Sequence, residues 1–176
     1  MISRFPVIII VPGSLHKPIH YRKIAEPVRA RGYEIITHPV TPSLVVCGDD
    51  YVDPATTHLD DAAEIRRNLL PVLEEGKQAI VISHSYGSLP ATGSKGGIIS
   101  VIIIAGFVFP SCGKSIMDDD KEPLNVPYHI VENGVSHLQE SAKALFFSDM
   151  SPEEADTVWA NLFKKQSRKS FTTFPQ

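Results

Sequence analysis

The sequence predicts an α/β fold: a mostly parallel sheet with helices on both faces, plus a small helical cap. Three observations carry this. Val7-Ile8-Ile9-Ile10-Val11 is a continuous β-branched run, apolar on both alternating faces, as in a central parallel strand covered by helices. Further apolar runs follow at Tyr33 to Thr37, Ala79 to Ile82 and Ile98 to Ile104, with helical patterns between them. That alternation is what a parallel sheet with crossover helices requires. After Pro110 the pattern changes to helical segments with one short strand candidate, which reads as a lid over the sheet.

Pro12-Gly13-Ser14 breaks the first strand. Residues 19–31 read as a helix, in which Ile24, Ala25, Val28 and Ala30 leave a modest apolar stripe and Gly32 fits the stop. Residues 39–58 carry prolines without a clean period and read as loop. The helix over 61–75 repeats Ile65, Leu69, Val72 and Leu73 at helical spacing, with Asp60 or Asp61 as its cap and Gly76 at its end. After the third strand a helix is predicted over 86–92, limited by Pro90 and Gly93. Residues 113–127 are polar and loop-like, and Tyr128-His129-Ile130-Val131 is a small strand candidate. Ala142 to Phe147 and Pro152 to Lys164 read as helices, the second with Ser151 as N-cap and Pro152 in the first turn. The division expected is a core over 1–110, a cap over 111–165, and a return toward the core over 166–176.

Composition excludes several classes of function. The chain has 176 residues, 43% hydrophobic and 21% charged, with a net charge of −3. That is enough apolar content for a real core and too much for widespread disorder. The charge balance gives no strong field for nucleic acid or an anionic membrane. The longest apolar stretch, Ile98 to Phe109, is shorter than the roughly 20 residues that span a bilayer, and the N-terminal run is too short for a leader. Cys47 and Cys112 cannot build a disulfide framework or a cysteine zinc site, so a reducing, cytoplasmic setting is expected.

The stretch that carries chemistry is Ile82-Ser83-His84-Ser85-Tyr86-Gly87. A buried strand runs into small-x-Ser-x-Gly with a helix start expected next, the layout of a nucleophile elbow. Ser83 and Gly87 keep the strained turn small, and the turn lifts the Ser85 hydroxyl toward the crevice at the strand ends. The following backbone N–H, that of Tyr86, is then placed to hold a developing oxyanion. Pro12-Gly13-Ser14-Leu15-His16 follows the first strand and reaches the same sheet edge, so the Ser14 N–H is the second oxyanion candidate.

With His20-Tyr21, Asp60-Asp61 before a helix, and Ala105-Gly106-Phe107-Val108 after a strand, these motifs resemble the α/β-hydrolase superfamily. The similarity runs from Val7 to about Phe174, in the branch of fungal and bacterial hydrolases similar to plant methyl esterases and hydroxynitrile lyases. The resemblance implies Ser85 as nucleophile, Ser14 and Tyr86 as backbone oxyanion donors, and no cofactor or metal. It also implies a catalytic acid after a later strand and a catalytic histidine after the last. The chain stops at Phe174-Pro175-Gln176 before either, and Gly93-Ser94-Lys95-Gly96-Gly97 cuts short the helix after the elbow. A truncated version of the fold is therefore expected.

His137, in the cap, is the candidate base for Ser85; His16 and His84 are candidates for substrate contact, with packing beside the strand as the alternative for His84. His20, His38, His58 and His129 read as surface or packing residues. The acidic run Asp118-Asp119-Asp120-Lys121-Glu122 matches no calcium loop and reads as solvated. Lys164-Lys165 with Arg168-Lys169 reads as a solvated helix end, and Trp159, Leu162 and Phe163 as a packing face or the wall of an acyl pocket. The expected function is hydrolysis of a small ester or lactone. The alternatives are a catalytically incomplete binder of a small hydrophobic molecule and a lyase on the same scaffold. A sheet missing its last strands leaves an apolar edge, so homodimerisation or aggregation is expected. The absence of Gly-x-Gly-x-x-Gly after the first strand argues against a dinucleotide-binding domain.

Overall fold

Why the first strand is apolar on both faces is visible in what covers it. In a computed structural model, which describes residues 5–37, 51–88, 97–108 and 126–172, β1 (Val7–Val11) is buried along its whole length. It is flanked by β2 (Ile35–Thr37) and β3 (Ala79–His84), and β4 (Ile98–Ile104) lies beyond β3. The order is β2-β1-β3-β4 and every pairing is parallel. On one face Val7, Ile9, Val11, Ala79 and Val81 pack on Ile65, Leu69 and Val72 of α2 (His58–Glu74). On the other, Ile8, Ile10 and Ile35 pack on Ala25 of α1 (Arg22–Arg29) and on Tyr21, which ends a 3-10 turn over Pro18–Tyr21. The predicted parallel sheet with helices on both faces is the fold.

The cap of α2 differs from expectation. Thr57 is the N-cap, not Asp60 or Asp61: its hydroxyl accepts from Leu59 N–H at 3.2 Å, and Asp60 reaches back to the Thr57 N–H at 2.7 Å. This reciprocal pair satisfies two first-turn donors. Asp61 is fully buried and accepts a hydrogen bond from the Tyr86 hydroxyl. Thr57→Ala is expected to lower stability by about 1 kcal/mol, read as a shift in the urea midpoint without loss of far-ultraviolet signal.

The second region is not purely helical. β5 (His129–Glu132), β6 (Val135–Leu138) and β7 (Lys165–Ser167) form an antiparallel sheet in the order β5-β6-β7. The Asn133-Gly134 turn between β5 and β6 has both residues at positive φ, 50° and 77°, which suits the twist of a two-residue hairpin. β7 crosses the expected boundary at residue 165 and continues into a short helix, Lys169–Thr172. Two more helices, Ala142–Phe146 and Pro152–Asn161, complete the cap, and Ser151 caps the second as predicted. Trp159 and Leu162 are buried with Leu15, Leu138, Ala142, Phe147 and Ala155, so they pack the cap and stand outside the cavity wall. The predicted helix over 86–92, the loop over 113–127, the acidic run, His38 and both cysteines lie wholly or mostly outside the described residues.

Among the described residues β4 is an edge of the parallel sheet, and Ile99, Val101, Ile102 and Ile104 along it are 52, 42, 45 and 46% exposed. No described helix is long and apolar enough to cross a membrane.

Candidate active site

β3 ends at His84 and the chain turns at once into a 3-10 turn over Ser85–Gly87. Ser85 has φ +48°, a left-handed backbone that L-residues avoid unless the surroundings enforce it. Three contacts enforce it. The Ser85 carbonyl accepts from Ser88 Oγ at 2.8 Å, and Ser88 Oγ accepts from Phe107 N–H at 2.8 Å, which ties the turn to the loop after β4. The Tyr86 side chain is anchored on Asp61 of α2 and packs at a tilt against Phe171, with ring centroids 5.0 Å apart. Gly87 lies against the end of β1: a Cβ there would sit 2.5 Å from the Pro12 carbonyl oxygen. The turn is therefore strained and flanked by small residues, the backbone geometry that an elbow requires.

The loop after β1 is held just as closely. The Gly13 N–H donates to the Tyr21 hydroxyl at 2.8 Å. The Gly13 carbonyl accepts from the His16 N–H at 3.1 Å. In a trans peptide the C=O and the next N–H point opposite ways, so this bond sets the direction of the Ser14 N–H. The Ser14 carbonyl accepts from His16 Nδ1 at 2.7 Å, and the Ser14 hydroxyl donates to Gln166. Leu15 has φ +65° and is buried, which turns the loop back toward the cap.

Both loops open into one cavity of about 480 Å³. Ser14, His16, His84, Ser85 and Tyr86 are among the residues that line it. Phe107, Val126, Tyr128, Phe146, Phe147 and Phe171 supply an apolar wall, with His129, Ser136 and Arg168 among them. Five of the predicted site residues thus meet. His137 does not join them. It is on β6 next to Ser136, and alternation along a strand turns it to the opposite face from the Ser136 side that lines the cavity. Arg168, expected in a solvated helix end, lines the cavity instead, and Lys164 sits over the Trp159 ring at 3.6 Å.

Sequence reasoning missed the residues that brace these loops. Gln166 is buried on β7, receives the Ser14 hydroxyl and donates from Nε2 to Ser170 Oγ at 3.1 Å. Ser170 in turn donates to the Ser167 carbonyl at 2.7 Å. Asp61 was visible in principle, since it precedes Ile65 by one helical step and shares its buried face.

Electrostatically the His16 and His84 rings in the cavity wall favour the neutral form. Burial pushes His16 down from 6.5 to about 4, against the opposing pull of its bond to the Ser14 carbonyl. Burial also lowers His84, His20 and His129, the last with help from the nearby Arg168 charge. The His16 ring stands edge-on to His84, with centroids 5.4 Å apart, so a proton on either opposes one on the other. Because the folded-state values lie below those of the unfolded chain, the unfolded state binds protons first as pH falls. Stability is therefore expected to be full above about pH 6.5 and to decline progressively toward about pH 4. Urea midpoints at pH 7.5 and pH 5 check this, and an unchanged or higher midpoint at pH 5 would contradict it.

Comparison with known proteins bears on what this arrangement is. The profile of the family described as "Alpha/beta hydrolase family" matches residues 8–175. The alpha/beta hydrolase nvfD of Aspergillus novofumigatus (strain IBT 16806) is 28% identical over 184 residues, covering 96% of this chain and 70% of that protein. The probable hydrolase R7 of Phoma sp. (strain ATCC 20986 / MF5453) is 30% identical over 121 residues, covering 64% of this chain and 47% of that protein. Among solved structures, the methylesterase MES16 from Arabidopsis superimposes with a TM-score of 0.68 at 15% identity, covering 98% of this chain and 72% of that one.

Proposed function

Because the chain belongs to the alpha/beta hydrolase family, whose profile covers residues 8–175, we propose that it cleaves a small ester or lactone through Ser85. The observation that carries this reading is the left-handed backbone of Ser85, at the carboxyl end of a buried strand and in the wall of a cavity. A serine held in strain at that point is exposed to substrate rather than packed, which is what a nucleophile needs.

In the proposed reaction Ser85 Oγ attacks the carbonyl carbon and its proton passes to a general base. The carbonyl electrons move onto oxygen, where the Ser14 and Tyr86 N–H groups receive them. Collapse expels the alkoxide, which takes up the proton. Water then repeats the sequence on the acyl-enzyme, releasing the acid and restoring Ser85. One such oxyanion donor is worth about 10²- to 10³-fold in rate. His16 and His84, uncharged near neutral pH, border the reacting centre, and the aromatic wall takes the apolar part of the substrate.

One observation favours a second reading. Among the described residues no imidazole hydrogen-bonds the Ser85 hydroxyl, and His137 is not in the cavity wall. A serine lacking a base in reach is a poor nucleophile. On this reading the chain binds a small hydrophobic molecule without turning it over. Labelling the purified protein with a fluorophosphonate, followed by peptide mapping, separates the two. A single adduct on Ser85 supports the hydrolase, and a folded chain that takes no adduct supports the binder.

A further inference from the structure

We propose that Tyr21 is a positioning residue for the oxyanion-donor loop: its hydroxyl joins the Gly13 N–H to the His84 ring and so holds the two segments flanking Ser85 in one arrangement. This rests on the hydrolase reading for its catalytic meaning, but the tie itself stands on geometry.

Tyr21 ends the 3-10 turn Pro18–Tyr21 and is buried. Its hydroxyl lies 2.8 Å from Gly13 N and 2.9 Å from His84 Nδ1. The Gly13 amide can only donate, so it takes a lone pair of the hydroxyl oxygen. The single hydroxyl proton is then given to His84 Nδ1, which must carry a lone pair. The neutral His84 ring consequently bears its proton on Nε2. Burial holds the Tyr21 hydroxyl up at about 12, so its proton stays in place at any working pH, and burial favours the uncharged form of His84.

The contact is also steric. A Cβ on Gly13 would lie 2.7 Å from His84 Nδ1, so the ring rests directly on the loop backbone. Gly13 is the residue before Ser14, and its carbonyl bond to His16 fixes the plane that aims the Ser14 N–H. Anchoring the Gly13 N–H holds the preceding peptide plane, so the planes on both sides of the Gly13 Cα are fixed. Because His84 is the residue before Ser85, one hydroxyl sets the spacing of the donor loop and the elbow.

Tyr21→Phe keeps the ring and removes only the oxygen, which makes it the direct test. Two readings are taken on the intact chain. The first is the rate of fluorophosphonate capture by Ser85, which needs the oxyanion donors but no known substrate; it is expected to fall about 10- to 100-fold in the variant. The second is the ¹⁵N spectrum of the histidines, assigned through a His84→Asn variant. His84 is expected to show the Nε2–H form alone in the parent and a mixture with Nδ1–H in Tyr21→Phe. A merely structural tyrosine would lower the melting temperature while leaving the capture rate and the His84 tautomer as they were, and that result overturns the proposal. Unchanged ¹⁵N shifts overturn the tie whether or not the serine reacts. A parent chain that takes no label while its ¹⁵N shifts show the lock overturns the hydrolase reading and the catalytic role of Tyr21 with it.

Discussion

Ser85→Ala is expected to reduce ester turnover by about 10⁴-fold or more while leaving the melting temperature within the error of the parent. On the proposed hydrolase reading the rate effect is large because the hydroxyl forms the covalent bond; without it only binding and the oxyanion donors remain. The stability effect is small for two reasons. Among the described residues the Ser85 hydroxyl makes no hydrogen bond; its backbone carbonyl makes the bond to Ser88. Alanine also meets the same cost as serine at φ +48°, so the strained turn is no harder to form. Steady-state kinetics on activated esters, paired with a calorimetric scan of each protein, reads both quantities. Turnover that survives in a folded Ser85→Ala protein would remove Ser85 from the reaction.

The second large effect is expected at Gly87. An alanine Cβ would meet the Pro12 carbonyl oxygen at 2.5 Å, the Val11 carbonyl oxygen at 2.7 Å and Val11 Cγ1 at 3.0 Å. The oxygens belong to the backbone of β1 and its loop, so no side-chain rotation relieves the clash. Either the 3-10 turn or the end of β1 must move. The cost is about 3 kcal/mol, a large share of the roughly 5–15 kcal/mol that holds a domain together. Where the fold survives, the displaced Pro12 carries Gly13 and Ser14 with it, and a shift of about 1 Å at a reacting centre costs about 10²-fold in rate. Gly87→Ala is thus expected to lose both stability and turnover, read from urea midpoints and kcat on the same preparation. A Gly87→Ala protein with parental values of both would show that the two loops do not press on one another.

The parallel sheet is legible because β1 and β3 are runs rich in β-branched residues that stay apolar on both faces, as strands covered on both sides do. Ser85 was legible because a strained turn needs small neighbours, and Ser83 and Gly87 announce it. The cap sheet is legible only in its first strand. Lys165-Gln166-Ser167 has no strand propensity; it is a strand because β6 lies beside it, and its burial comes from that pairing. The first strand of the hairpin shows in Tyr128 to Val131 and its turn in Asn133-Gly134, but the run after the turn is too short to mark the partner strand. Tyr21 and Gln166 were illegible for a simpler reason. Their partners lie 63 and 152 residues away along the chain, and no local pattern encodes which distant hydroxyl or imidazole a side chain will meet. His137 shows the opposite limit: its place in the cap suggests nearness to Ser85, whereas strand parity turns its side chain from the cavity.

Among the described residues β4 ends the parallel sheet, and an edge of that kind sets a kinetic competition. Closing β3 onto β4 within one chain is a first-order event, whereas pairing the open side of β4 with another chain is second order. Ile99, Val101, Ile102 and Ile104 make that second encounter adhesive, since they face water at the very edge where hydrogen-bonding groups are offered. The balance between a usable protein and a precipitate is then governed by dilution as much as by stability. Refolding yield is expected to rise on dilution while the folding rate constant stays fixed, and the same arithmetic decides how crowded a cell can become before this chain finds itself instead of its own fold.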